Sequence, residues 1–203
     1  MGPQEGGAPA AAGSPSSTTL LQSTNLTLRT LPANSYLVHA TNCLGVWGFG
    51  IAAELGRMYP AARKEYEEFC RAAAENASQR WPPRDALIGR CLVIPPQESD
   101  VAKGSPRVSI VCLFTSHGYG RASKVSGKPG RDSPSAILAA TRRALVGFRE
   151  QLDAERGRAE GCLVYSPFFN AGAFKVPWEK TARVIEEEFK GWGGKWLVLT
   201  PPK

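Results

Sequence analysis

His39 and Asn42 are the residues whose types and spacing point to chemistry. They stand in Tyr36-Leu-Val-His-Ala-Thr-Asn42, directly ahead of Cys-Leu-Gly-Val-Trp-Gly-Phe-Gly-Ile51. An imidazole titrates near neutrality and serves as nucleophile or as acid and base. An Asn amide orients a water or holds a hydroxyl group. Gly45, Gly48 and Gly50 allow tight turns and close backbone approach, and Ile51 to Met58 has helix-forming composition. A glycine loop between a strand and a helix offers unpaired N–H groups and a partial positive charge, so the stretch reads as a cradle for phosphate. The same residues admit a plainer reading, in which His39 is hydrogen-bonded in the core and Asn42 caps the turn.

The elements that would position these residues follow from periodicity and turn signals. Leu20–Leu28 and Ser35–Thr41 read as strands, Ile51–Arg57 and Ala61–Ala74 as helices broken at Pro60, and Asn76–Asp85 as a surface loop. Gly89–Ile94 and Arg107–Phe114 read as strands buried on both faces. Ser116–Asp132 is a long, mobile, basic loop whose Arg121, Lys124, Lys128 and Arg131 form either a lid that steers anions or a solubilising run. His117, within it, reaches phosphate or is simply solvated. Asp132-Ser-Pro134 then opens a helix to Leu152. A short strand Cys162–Tyr165, a second small-residue turn Asn170–Lys175, a helix Pro177–Phe189 and a strand Lys195–Thr200 complete the chain. This alternation predicts a three-layer α/β/α domain with a mixed, mostly parallel sheet. Both glycine and small-residue loops then fall at the carboxyl ends of strands, where a diphosphate would lie between them.

Composition narrows the classes. At 203 residues the chain suits one folded unit, 18–203, behind an arm at 1–17 of Gly, Pro, Ala and Ser that is expected to be disordered. No Lys or Arg precedes Arg29 and no apolar run approaches the ~20 residues that span a bilayer, which predicts no secretory signal, no membrane association and a cytoplasmic or nuclear location. The five cysteines are scattered and flanked by apolar residues, as reduced core thiols are. With no Cys-x-x-Cys and two histidines, neither a metal nor any other cofactor is expected. The net charge of +7 and pI near 9.3 suit an anionic ligand. No aromatic RNA platform accompanies that charge, so a nucleotide is expected and a stable nucleic-acid complex is not.

With both loops placed, the chain resembles the macrodomain family, in particular its fungal ADP-ribose 1''-phosphate phosphatases. Leu37-Val-His-Ala-Thr-Asn42 with Trp47-Gly-Phe-Gly-Ile-Ala52 is similar to the family's strand and glycine loop, and Ser166-Pro-Phe-Phe-Asn-Ala-Gly-Ala-Phe174 to its second phosphate loop. Ile110-Val-Cys-Leu-Phe-Thr-Ser116 looks like the strand and turn of that branch. The resemblance implies a macrodomain fold, a monomer, and ADP-ribose and ADP-ribose 1''-phosphate, a by-product of tRNA splicing, as ligands. It implies adenine at Asn25 and Leu26, phosphate and ribose contacts from Ala40, Thr41, Trp47, Gly48, Phe49, Gly50 and Ile51, and further contacts from Ser116. The second loop would contribute Asn170, Ala171, Gly172, Ala173, Phe174 and Lys175, with Phe174 against the distal ribose. Catalysis falls to His39 and Asn42. Phe49 interrupts the family's run of glycines, and Lys175 replaces a common Gly. The lysine and aspartate of related glutamate-linked ADP-ribose hydrolases correspond here to Ser116 and Phe174, which disfavours that chemistry. A non-catalytic ADP-ribose reader, or a hydrolase freeing ADP-ribose from protein or nucleic acid, remains the alternative.

Overall fold

The computed structural model describes residues 20–74, 80–155 and 161–200. The arm at 1–17 lies outside them. Six strands form one sheet: β1 (Leu21–Thr24), β2 (Ser35–Asn42), β3 (Cys91–Ile94), β4 (Val108–Ser116), β5 (Leu163–Ser166) and β6 (Lys195–Leu199), in the order β1-β6-β5-β2-β4-β3. Every neighbouring pair is parallel except β3 with β4. This is the mixed, mostly parallel sheet that the alternation of elements predicts.

Helices α1 (Gly50–Met58) and α2 (Pro60–Ala72) cover one face, and α5 (Pro134–Ala154) and α6 (Trp178–Glu188) the other. Strand alternation divides the core between them. From β2 and β4, Leu37, Ile110, Cys112 and Phe114 pack with Leu55, Tyr66 and Cys70, whereas Val38, Val111 and Leu113 pack with Leu145, Phe148 and Ile185. Ser133 caps α5 by accepting from the Ala136 N–H, with Pro134 at the first turn. No side chain of its own caps α2; the buried Asp100 carboxylate accepts from the N–H groups of Ala61 and Ala62 instead.

Several boundaries differ from expectation. The first strand stops at Thr24 because Thr24 Oγ1 accepts from the Leu26 N–H, and Thr27 and Thr30 then close a turn. Two single-turn helices, α3 (Arg84–Leu87) and α4 (Glu98–Val101), add to the expected elements; α3 begins within the stretch Asn76–Asp85 read as a loop, of which 76–79 lie outside the described residues. The strand expected from Gly89 begins at Cys91 and is a half-buried antiparallel edge, since Gly89 at φ +80° turns the chain into it. The cysteines are all free thiols, and burial holds Cys112 well above the usual thiol range. No described helix is long and apolar enough to cross a membrane.

Candidate functional site

Three loops meet at the carboxyl ends of β2, β4 and β5. The Cys43 N–H donates to the His117 carbonyl (3.0 Å), joining the loop after β2 to that after β4. Arg131 Nη1 donates to the Ala173 carbonyl (3.4 Å), joining the loop after β4 to that after β5. Phe174 packs on Ile137 and Val176, with Ala40 of β2 against that cluster. The sequence therefore does bring the glycine loop and the small-residue turn together, as parallel β2 and β5 are neighbours.

Asn42 builds the first loop. Its Oδ1 accepts from the Leu44 and Val46 N–H groups and its Nδ2 donates to the Val46 carbonyl (2.7 Å), while Tyr66 donates its hydroxyl to the Asn42 carbonyl (2.6 Å). With both amide atoms engaged and 6 % of the residue exposed, Asn42 shapes the loop and does not orient water. Beyond it, Gly48, Phe49 and Gly50 are exposed, with Gly50 at φ +56° and Phe49 at 73 % exposure. The α1 N-terminus has no side-chain cap, and the N–H groups of Gly48, Gly50 and Ile51 donate to none of the described residues.

Asn170 builds the second loop. At φ +64° its buried amide accepts from Thr115 Oγ1 (3.0 Å) and donates to Thr141 Oγ1 (2.9 Å) and Thr181 Oγ1 (3.4 Å), pinning the turn to β4, α5 and α6. Gly172, Ala173 and Lys175 are exposed, and the N–H groups of Gly172, Ala173 and Phe174 donate to none of the described residues. Two sets of N–H groups without an acceptor among the described residues thus lie on loops after adjacent strands, and such groups suit an anion.

The structure buries His39, the expected catalytic residue. Its side chain is 0 % exposed, lies edge-on to Trp47 (centroids 5.0 Å apart) and sets Nε2 3.7 Å from Cys112 Sγ. Alternation explains this: His39 shares the α1/α2 face with Leu37, three residues short of the strand's end, or about 10 Å at 3.3 Å per residue. Burial pushes its pKa down to about 3, so the ring is neutral, and its Nδ1 has no hydrogen-bond partner among the described residues. Trp47 is likewise core, 3 % exposed and stacked on Tyr66, and does not line the cleft. Thr41 donates to the Leu113 carbonyl, and Ser116, fully buried, donates to the Gly118 carbonyl and accepts from the Asp132 N–H. Phe174 is 6 % exposed and supports the loop from beneath. Of the other expected contacts, Asn25 is exposed and Leu26, Ala40, Ile51 and Ala171 are half-buried.

The basic loop, expected to be mobile, carries bracing contacts of its own. Lys128 Nζ donates to the carbonyls of Tyr119, Arg121 and Pro129 and lies 4.2 Å from the Tyr119 ring centroid. A Cβ at Gly118 would meet the Pro129 carbonyl oxygen at 2.1 Å, so only glycine allows the two limbs of the loop this close. Asp132 ties its end, accepting from the His117 N–H (2.7 Å) and from Arg84 Nη1 (2.5 Å). His117 Nε2 faces the Pro82 carbonyl (3.0 Å) and not the cleft. Lys128→Met is expected to raise chymotrypsin cleavage after Tyr119 about tenfold with little change in melting temperature, as loss of a charged donor loosens the loop alone. Unchanged cleavage would show that the glycine contacts suffice.

Reasoning from the sequence missed Tyr66 and Asp132, whose roles depend on contacts with distant segments; Asp132 carried a signal only as a possible helix cap. Cavities of about 310 and 460 Å³ flank β3, but none of their lining residues belongs to the three loops. Among the described residues no three His, Cys, Asp or Glu side chains are grouped to hold a metal ion.

No family model matches the chain. It is 34% identical over 170 residues to the ADP-ribose 1''-phosphate phosphatase of Aspergillus fumigatus, covering 77% of this chain and 84% of that one. It is 36% identical over 175 residues to the protein of the same name from Aspergillus clavatus, covering 77% and 83%. The macrodomain of Thermus aquaticus DarG superposes with a TM-score of 0.60 at 21% identity, covering 89% of this chain and 98% of that one. The loops, the sheet order and the extent of these matches agree, and the chain belongs to the macrodomain family, with the fungal ADP-ribose 1''-phosphate phosphatases.

Proposed function

We propose that this protein hydrolyses the terminal phosphomonoester of ADP-ribose 1''-phosphate to ADP-ribose and phosphate. The observation that carries the reading is the pair of loops whose N–H groups have no acceptor among the described residues, at adjacent strand ends, in a chain about one third identical to enzymes of that name. A diphosphate joining two sugars needs anion contacts over that span, and a transferred phosphoryl group needs donors that disperse charge on its oxygens. Water attacks phosphorus, the bond from phosphorus to the 1''-oxygen breaks, and that oxygen leaves with a proton. His39 and Asn42 serve this site as positioning residues, His39 under Trp47 and Asn42 within the loop. Origin of the substrate in tRNA splicing is part of the same proposal and rests on the resemblance alone.

The test is phosphate release from ADP-ribose 1''-phosphate, with and without excess chelator, beside calorimetric titration with ADP-ribose. Release that persists in chelator supports a hydrolysis carried by the protein's own groups. Tight binding without release would make the protein a reader, and release abolished by chelator would overturn the metal-independent mechanism.

A further inference from the structure

We infer that Arg131 distinguishes ADP-ribose 1''-phosphate from ADP-ribose by holding the terminal phosphate against the loop after β5; this rests on the function proposed above. Arg131 is half-buried, and its main-chain N–H donates to the Gly120 carbonyl (3.0 Å). The neighbouring Asp132 is fixed by Arg84 and His117, so the residue sits on a braced stretch of chain. Its guanidinium crosses to the second loop, where Nη1 meets the Ala173 carbonyl at 3.4 Å, a long bond that leaves most of the fork unused. Nε is buried and has no hydrogen-bond partner among the described residues.

Arg131 combines an unpaired charge with a place at the second loop. Arg63, Arg84, Arg107, Arg142 and Arg149 each lie against a carboxylate, whereas Arg131 has no carboxylate within ion-pair distance among the described residues. It stands instead beside the free N–H groups of Gly172, Ala173 and Phe174, with the exposed Lys175 at φ +53° on the same turn. A guanidinium binds two phosphate oxygens at once, and an ammonium adds a point charge. A phosphomonoester near pH 7 carries about −1.5 to −2 charge, more than either phosphate of a diphosphate linkage. Two cations at one turn match the dianion. The first loop, Cys43 to Ile51, contains no Lys or Arg and offers N–H groups alone, which suits the less charged diphosphate.

The experiment compares wild type, Arg131→Gln, Arg131→Lys and, as a control on the exposed part of the loop, Arg121→Gln. Calorimetry with ADP-ribose and with ADP-ribose 1''-phosphate is run beside phosphate release and thermal melting. Arg131→Gln is expected to weaken binding of the phosphorylated ligand about 10- to 100-fold while ADP-ribose affinity changes less than about twofold. Arg131→Lys is expected to recover part of the loss, and Arg121→Gln to match wild type. Equal loss on both ligands would place Arg131 at the diphosphate and overturn the inference, as would no loss on either. If Arg131→Gln melts early, Arg131→Lys decides by the same ratio of affinities. A wild type that binds the phosphorylated ligand more tightly but releases no phosphate would refute the phosphatase reading and leave the ratio measurable.

Discussion

His39→Ala is expected to lower stability by about 2–4 kcal/mol and to weaken ADP-ribose binding and turnover together. The cost follows from removing a fully buried ring, which leaves a cavity beneath Trp47 that the sheet cannot collapse to fill. Trp47 stacks on Tyr66, and the Tyr66 hydroxyl holds the Asn42 carbonyl, so the disturbance passes directly to the phosphate loop. Thermal melting and calorimetry check this. A variant that folds and binds normally but cannot turn over would return His39 to the chemistry. The pH dependence gives an independent check. The folded imidazole titrates at about 3, well below the ordinary value of 6.5, so the unfolded chain binds a proton that the folded one refuses. Its contribution is fully present above about pH 6.5 and is lost as pH falls from 6.5 toward 3, by about 1.4 kcal/mol for each pH unit. His39→Gln is expected to flatten that part of the stability profile.

Asn170→Ala is expected to cost roughly 3–5 kcal/mol and to abolish measurable phosphate release. The buried hydroxyls of Thr115 and Thr181 lose their partner, at about 1–2 kcal/mol each, whereas Thr141 keeps the Ile137 carbonyl, and alanine at φ +64° adds about 1 kcal/mol of backbone strain. Asn170→Gly keeps the backbone conformation while losing the amide, so it is expected to be the milder variant by about 1 kcal/mol. Equal destabilisation in the two would assign the whole effect to the hydrogen bonds. Native release from either would show that the turn holds its N–H groups without them.

The sheet and the pairing of the two loops were legible in the sequence because alternating strands and helices leave few ways to order a parallel sheet. The surface of the site was less legible. His39 looks reactive by residue type, yet Leu37 and Cys112 show that its face of the sheet is apolar, and type says nothing of which face a side chain takes. Trp47 lies in a loop between glycines, where exposure is the natural reading; only its packing on Tyr66, from a later helix, buries it. Ser116 and Asn170 have polar side chains at strand ends, but both are fully engaged by partners distant in sequence, Asp132 and Thr115 among them. Gly48, Gly50, Gly172 and Lys175 are exposed on the two loops, as turn residues that answer to local geometry are expected to be.

The pairing of β1 with β6 brings residues at the two ends of the domain side by side, with Leu21 in register with Trp196. Joining them closes a loop of nearly the whole domain, a large entropic cost set against four residues of edge strand. This pair therefore assembles late and opens early, by local fluctuation well below global unfolding. Thr200 anchors the end of β1 through the Thr24 carbonyl, and Asn25 follows directly. The turn at Asn25 is thus built on a four-residue edge strand, and a ligand that joined it to the two loops would act as a clasp across that edge.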